Sequence, residues 1–250
     1  MKKALLLLAS TFAVAALPQM AAAQTAAAPA PVAETSPLSF NVSVTTDYRY
    51  RGISQSRLKP AIQGGVDYAF SNGFYIGAWA SSIKWIKDAG GGADVEVDVY
   101  GGYKGALSSA LTYDVGVLTY QYPGHDLSVS PNTTEIYGAG TFGPATLKYS
   151  HAVTNLFGFA DSKGSGYLDL AATFDTGIWG LTVTPHVGHQ RVRHNSGFSY
   201  TDWAVTLGKD FGNGLSATAA YVDTDTNGYR GPGNKNLGKA TLVLGVKYAF

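Results

Sequence analysis

Apolar and polar residues alternate at every second position along most of the chain, from about residue 39 to residue 250. Successive side chains of a β-strand point to opposite faces, so this alternation predicts strands with one apolar and one polar face. The clearest run places Val95, Val97 and Val99 on one face, with Glu96 and Asp98 between them. About twelve such runs follow one another. The pattern predicts one all-β domain over residues 39–250.

The connections between the runs alternate in length. Short connections are predicted near residues 71–73, 104–109, 143–144, 175–180 and 212–214, and long ones near 52–60, 86–93, 122–133, 153–165, 193–199 and 224–237. This alternation, with both ends of the domain on the short side, is typical of outer-membrane barrels. The predicted fold is therefore an antiparallel transmembrane β-barrel of about 12 strands, with short periplasmic turns and long external loops.

In such a barrel the apolar faces meet lipid and the polar faces line the lumen. The first predicted strand, residues 40–51, directs Tyr48 and Tyr50 outward. The expected lumen-lining residues are Asp47, Arg49, Arg51, Asp67, Glu96, Asp98 and Asp114, with Asp94 beside them. A lumen of mixed charge would discriminate weakly between ions. Alternatively, the opposite charges pair and fill the lumen as a structural network.

The outward face of the last run ends in two aromatic residues. Its outward face carries Leu244, Val246, Tyr248 and Phe250. This pattern resembles the C-terminal assembly signal of bacterial outer-membrane barrels, which implies the barrel-assembly machinery as a partner. On this face Leu244→Arg is expected to block assembly, whereas Val243→Arg points into the lumen and is expected to be better tolerated.

The first residues have the features of a cleavable export signal. Lys2 and Lys3 precede an apolar stretch, residues 4–17, and small residues at 21–23 offer a cleavage site. We therefore expect residues 1–23 to be a signal peptide and residues 24–38 to be an Ala/Pro-rich flexible lead-in. Together with the barrel pattern, the signal predicts the bacterial outer membrane as the location.

Composition agrees with a barrel in lipid. Charged residues make up 14% of the chain, against about 25% in ordinary globular domains. There are no cysteines, so disulfides cannot hold an exported chain together, whereas closing a sheet pairs every backbone group. The formal net charge of +1 gives no indication of nucleic acid. The expected partners are outer-membrane lipid and small solutes.

We expect no catalytic, cofactor-binding or metal-binding residues, and hence no enzyme. Ser150 and His151 are adjacent, so they point to opposite faces of a strand, and no G-x-S-x-G motif is present. Residues 223–228 match the first half of a calcium loop, but Asn234 stands where a bidentate Glu is required. An external loop without bound calcium is therefore expected.

Several segments resemble a known family. The segments DYRYRGISQS (47–56) and KPAIQGG (59–65) are similar to the opening of the TorF family, a proteobacterial family described as porins and formerly of unknown function. Similar stretches extend over nearly the whole chain. The resemblance implies an outer-membrane barrel and adds little about a substrate.

The predicted function is passive or weakly selective diffusion of small solutes through a polar lumen of mixed charge. A plugged barrel with a structural or surface-interaction role is the main alternative. An outer-membrane enzyme that modifies lipid and a soluble secreted barrel that binds a ligand are two further alternatives.

Overall fold

The computed structural model describes residues 36–250, so the expected signal peptide (1–23) and nearly all of the lead-in (24–38) lie outside the described residues. Twelve strands form the main sheet. They are β1 Leu38–Thr45, β2 Ala61–Ala69, β3 Phe74–Ser82, β4 Val95–Ala106, β5 Leu111–Gln121, β6 Thr133–Phe142, β7 Ala145–Ala152, β8 Gly166–Ala172, β9 Leu181–Arg191, β10 Tyr200–Gly212, β11 Leu215–Thr224 and β12 Thr241–Ala249.

Short elements occupy some of the connections. Phe174–Asp175 continues the pairing of β8 with β9, and two small hairpins lie in long connections. A one-turn helix, α1, spans Trp85–Asp88, and two 3₁₀ turns span Ser196–Phe198 and Pro232–Asn234. Between residues 36 and 250, no helix has the length and apolar character needed to cross a membrane.

The sheet closes on itself. Each strand pairs antiparallel with its neighbours in sequence, and β1 pairs with β12, where Val42 lies opposite Tyr248 and Val44 opposite Val246. A closed barrel leaves no unpaired strand edge, which is what a sheet in lipid requires. The prediction of an all-β, twelve-stranded antiparallel barrel is confirmed.

The two ends of the barrel differ. Five short connections lie at the end that holds Leu38 and Phe250, and six longer ones lie at the other end. One short connection is the two-residue turn Asn213-Gly214, whose φ angles of 51° and 82° suit a type I′ hairpin. By the usual orientation of such barrels, we call the short-turn end periplasmic and the other end external.

The outer surface of the barrel is apolar. Val44, Leu244 and Val246 are each about half exposed, although they lie in the middle of hydrogen-bonded strands. Exposed aromatic rings gather at the periplasmic rim, where Phe40 and Phe250 stack with centroids 5.7 Å apart. Lipid-facing apolar residues with an aromatic girdle at the interface are the features of a transmembrane barrel.

The prediction that the first strand continues beyond Thr45 to residue 51 is wrong. Residues 46–60, which we call the inserted segment, leave the sheet and fold into the barrel. Tyr48 is 0% exposed and lies inside the lumen, so its predicted outward position was wrong. The segment reverses direction at Arg51 and Gly52, whose φ angles of 47° and 77° form the turn of the small hairpin in which Tyr50 pairs with Ile53. A Cβ on Gly52 would lie 2.7 Å from Cβ of Asp202, which explains the glycine.

Candidate functional site: the lumen

The inserted segment is organised around Asp47. Its carboxylate forms an ion pair with Arg49, whose Nε lies 2.6 Å from Oδ2. The hydroxyls of Ser54 and Ser56 donate to the other oxygen, at 2.5 and 3.1 Å. All four residues are buried. Asp47 and Arg49 therefore lie inside the barrel, in the inserted segment and not in a strand of the main sheet.

Arg51 connects the inserted segment to two distant walls of the barrel. Its Nη2 donates to Glu135 on β6 at 2.7 Å, and its Nη1 donates to Gln190 on β9 at 2.6 Å. The guanidinium lies 4.3 Å from the ring centroid of Tyr167. The hydroxyl of Tyr200 donates to the Arg51 carbonyl at 2.8 Å. These contacts fix the inserted segment across the lumen.

The charge of Arg51 is sustained by its partners. Burial of the guanidinium disfavours its charged form, but the carboxylate of Glu135 favours it, and the net result raises the pKa of Arg51 above its usual value. The side chain therefore stays cationic inside the barrel.

Glu96 and Asp98 both point into the lumen from β4, as predicted. Tyr48 of the inserted segment donates to Glu96 at 2.9 Å. Asp98 is 0% exposed, and neither of its carboxylate oxygens has a hydrogen-bond partner among the described residues. Oε1 of Glu135 is also without a partner. Buried carboxyl groups are therefore concentrated on this wall, which lies opposite the cationic inserted segment.

Asp67 and Asp114 lie nearer the periplasmic end and are half-buried. Tyr100 donates to Asp67 at 2.5 Å, and Tyr75 donates to Asp114 at 2.6 Å. Nζ of Lys104 lies 3.9 Å from Asp114. Both acids face inward as predicted, and both are held by tyrosines of the barrel wall.

Asp94 does not belong to the lumen. It precedes β4, is exposed, and accepts a hydrogen bond of 2.8 Å from Lys87 of the one-turn helix. That hydrogen bond and the charge of Lys87 lower the pKa of Asp94. Its predicted place among the inward acids was wrong, because the strand begins one residue later.

A second charged cluster was missed by sequence reasoning. Nε2 of His186 on β9 lies 2.8 Å from Asp169 on β8, and its Nδ1 lies 3.6 Å from Asp202 on β10. Tyr167 also donates to Asp202, at 2.9 Å. The alternation of Asp169 between Leu168 and Leu170 could have identified it as inward, as it did for the acids of β4.

A cavity of about 50 Å³ lies between the inserted segment and strands β9 to β12. The residues that line it are Asp47, Arg49, Arg51, Gly52, His186, Asp202, Ala204, Thr206, Thr218, Ala220, Val222 and Val243. One side is charged and polar. The opposite side carries Ala204, Ala220, Val222 and Val243, which we call the apolar wall; these four residues also form one packed cluster.

Residues 26–250 match the model of a family described as "Bacterial protein of unknown function (Gcw_chp)". The chain belongs to the Gcw_chp family. Among curated proteins, none matches the chain by sequence.

Solved structures resemble the Gcw_chp chain in fold. A structure of the KdgM porin has a TM-score of 0.58 at 11% identity, and covers 85% of this chain and 99% of its own. KdgM porin in complex with disordered oligogalacturonate gives 0.56 at 10% identity, covering 85% and 98%. The NanC porin gives 0.54 at 14% identity, covering 84% and 98%. At these identities the likeness establishes the barrel fold.

Aromatic side chains fill the other half of the Gcw_chp lumen. Tyr48 packs edge-on against Trp79, with ring centroids 5.5 Å apart. Tyr120 and Tyr137 belong to the same buried cluster, which also takes in Ile86 of the one-turn helix. The cavity described above lies on the other side, along β9 to β12.

In residues 223–228, whose spacing matches the first half of a calcium loop, side-chain oxygens accept hydrogen bonds from neighbouring residues of the protein. Oδ1 of Asp225 accepts from the Thr201 backbone at 2.9 Å, and Oδ1 of Asn227 accepts from Asn236 at 2.8 Å. Within residues 36–250, no group of three or more His, Cys, Asp or Glu side chains is placed to hold a metal ion.

Proposed function

We propose that the protein is an outer-membrane channel for the passive, weakly selective diffusion of small solutes. One observation carries the proposal: a closed barrel with an apolar outer face encloses a polar interior that contains a cavity against one wall. The TorF resemblance and the porin folds of the similar structures support it. The terminal pattern Leu244, Val246, Tyr248 and Phe250 is proposed as the assembly signal.

The balance of charge in the lumen supports weak ion preference. Arg49 pairs with Asp47, and Arg51 pairs with Glu135, so each buried arginine has an acid beside it. Charged rings of a single sign give a pore its ion selectivity. These pairs cancel part of the charge along the path, although the buried acids of β4 have no basic partner among the described residues, and we infer that ion preference is weak.

A plugged structural barrel is the second candidate. The observation that favours it is the inserted segment, which spans the lumen from β1 to Glu135 and Gln190. Aromatic side chains fill the space beside it. In this case the long external loops would carry the function.

Planar-bilayer recording separates the two candidates. The mature chain is refolded in detergent, shown to be folded by its faster migration in an unheated gel, and added to the bilayer. Discrete conductance steps with weak preference between K⁺ and Cl⁻ are expected for the channel. A folded barrel that stays silent supports the plugged alternative and overturns the proposal.

Two simpler assays address the remaining alternatives. The export signal and the apolar surface predict that the protein fractionates with outer membranes, whereas a soluble secreted barrel stays in the periplasm or medium. Incubating the folded protein with phospholipid and lipopolysaccharide should give no product. A released fatty acid would identify a lipid-modifying enzyme.

A further inference from the structure

Three basic side chains lie together on the outer face of the barrel, at its external end. They are His151 on β7 and His189 and Arg191 on β9, and we call them the rim patch. Arg191 and His189 are exposed and His151 is half-exposed, whereas Ser150 and Gln190 beside them in the two strands are buried. Because successive side chains of a strand alternate faces, the rim patch points away from the lumen, toward the surrounding membrane.

Strand pairing brings these side chains side by side. Gly166 on β8 pairs with His151 on one side and with Arg191 on the other. Neighbouring strands are about 4.8 Å apart, so the backbones of His151 and Arg191 are separated by roughly 10 Å. Gly166 has no side chain to fill the interval, and an ideal Cβ there would overlap the Tyr149 hydroxyl. This hydroxyl therefore reaches into a notch between the two basic groups.

The hydrogen-bond donors of the rim patch are available to a ligand. The Arg191 guanidinium forms no hydrogen bond or ion pair with a residue in the described part of the chain. Nδ1 of His189 lies 3.1 Å from the Thr201 hydroxyl, and Nδ1 of His151 lies 3.5 Å from the Tyr149 hydroxyl. Nε2 of each ring is left to donate outward. Such a set suits an oxyanion, and arginine binds phosphate through two parallel hydrogen bonds.

The acidic side chains nearest the rim patch do not neutralise it. Asp161 is exposed in the connection before β8 and lies 2.9 Å from His194. Oδ1 of Asp225 accepts from a backbone N–H of β10 at 2.9 Å. Asp223 faces outward on β11, so that β10 lies between it and the rim patch.

Further positive charge lies beside the rim patch. Arg193 follows the end of β9 and is exposed, and its Nη1 donates to the carbonyl of Lys163, which is also exposed, at 3.2 Å. In the twelve strands of the described sheet, the other outward basic side chain is Lys209, which pairs with Leu181 near the periplasmic end. Positive charge on the outer wall is therefore concentrated at the external ends of β7 to β9.

The height of the rim patch matches the edge of the hydrocarbon layer. Ten residue steps of β9 separate Leu181, next to a periplasmic turn, from Arg191. At about 3.3 Å per residue and a strand tilt of about 40°, Arg191 lies about 25 Å above Leu181. The apolar band of such barrels is also about 25 Å tall. Arg191 therefore lies where the headgroups of the outer leaflet begin.

Apolar side chains lie directly below the rim patch. Leu168 pairs with His189, and Leu170 pairs with Val187 one row further down. Trp203 is exposed beside Val187 on the next strand. Basic donors above an apolar wall match a lipid that carries an anionic headgroup.

We propose that the rim patch binds a phosphate group of a lipopolysaccharide in the outer leaflet. Arg191 holds the phosphate through two hydrogen bonds, His151 and His189 donate further ones, and the acyl chains lie along Leu168 and Val187. This inference goes beyond the proposed channel function. It gives the outer wall a lipid ligand, and it requires a barrel in the outer membrane but no conduction through the lumen.

Native mass spectrometry of the refolded mature chain in detergent micelles tests this site. The probes are lipid A with its phosphates, the same lipid A without them, and inorganic phosphate as a competitor. One lipid A per barrel is expected to bind, and removal of its phosphates should weaken binding about tenfold, because the charge-assisted hydrogen bonds are lost. Inorganic phosphate at an equal concentration should not displace the lipid, since it makes no contact with the apolar wall.

Variants of the basic side chains locate the bound phosphate. Arg191→Gln removes the guanidinium and is expected to weaken lipid A binding about tenfold. Arg191→Lys keeps the charge without the paired hydrogen bonds and should bind with intermediate affinity. Lys209→Gln is the matched control, because it also removes an outward basic side chain, at the opposite end of the neighbouring strand; it should bind as the unchanged protein does. Migration in an unheated gel shows that each barrel is folded, and the phosphate-free lipid remains informative if a variant is not.

The outcomes separate this inference from the channel proposal. Equal binding of phosphate-free lipid A, displacement by inorganic phosphate, or unchanged binding by Arg191→Gln overturns the site. Assembly of barrels in place of the lipid complex also overturns it, because the rim patch would then be a contact between copies of the chain. Phosphate-dependent lipid binding by a barrel that is silent in bilayers overturns the channel alone. A conducting barrel without such binding overturns the lipid site alone.

Discussion

At the scale of single residues, period-two alternation located the inward side chains well. Asp67, Glu96, Asp98 and Asp114, which this alternation puts on the polar faces of their strands, are buried or half-buried on the inner side of the barrel. Their partners could not be predicted in the same way. Glu96 is bound by Tyr48 of the inserted segment, and no local pattern indicates which residue of a long connection returns to meet a strand 48 positions away in sequence.

Glycines on the inward face make room for tyrosines on neighbouring strands. A Cβ built on Gly116 would lie 2.6 Å from both the Gly101 carbonyl oxygen and the Tyr137 hydroxyl. The carbonyl belongs to a paired strand and cannot move without loss of its hydrogen bonds. Gly116→Ala is therefore expected to destabilise the barrel by about 1–3 kcal/mol, the usual cost of overpacking.

Urea unfolding of the refolded protein, followed by tryptophan fluorescence, measures this effect. Gly140→Ala is the control, since Gly140 also lies in a barrel strand but has no other atom within 4 Å of its ideal Cβ. The control is expected to unfold at the same urea concentration as the unchanged protein. A Gly116→Ala barrel as stable as the control would show that the wall adjusts freely around Tyr137.

At the scale of elements, the strands and turns were largely predictable and the inserted segment was not. Alternation continues without a break from residue 40 to residue 51, so the pattern itself favours one long strand. The chain turns away because the tertiary contacts of Tyr48 with Glu96 and of Arg51 with Glu135 outweigh the local preference. Arg51 adopts a φ of 47°, which few non-glycine residues adopt without such support.

The two faces of β12 give a prediction at this scale. Leu244 is 48% exposed on the outer face, and Val243 is 2% exposed in the lumen. Leu244→Arg places a charge against lipid at a cost of about 2–4 kcal/mol, so the yield of folded protein in the outer membrane should fall sharply. Val243→Arg places the charge near Asp47 and Asp202 and is expected to give a higher yield.

Membrane fractionation and unheated gel migration quantify both variants against the unchanged protein. Because the substitutions are adjacent and chemically identical, expression and export should be affected alike. Equal losses of folded barrel would contradict the assignment of the two faces.

At the scale of the whole molecule, the lumen is divided lengthwise. Aromatic side chains occupy the side near β2 to β6, the inserted segment crosses the lumen, and the cavity lies along β9 to β12. Sequence alone could predict closure, strand number and polarity, since each depends on local periodicity. The lengthwise division depends on where the inserted segment lies inside the barrel. This division determines how wide the path through the lumen is.

Arg51 is the clearest test of that division, because it fastens the inserted segment to Glu135 and Gln190 on two distant walls of the barrel. Arg51→Ala removes both contacts and the stacking on Tyr167, so the segment should be held less firmly and the path should widen. We expect a larger single-channel conductance in planar bilayers. Arg57→Ala is the control: Arg57 lies on the same segment, is partly exposed, and pairs with Asp88 of the one-turn helix. It should leave the conductance unchanged. If both variants conduct like the unchanged barrel, the inserted segment does not limit the path.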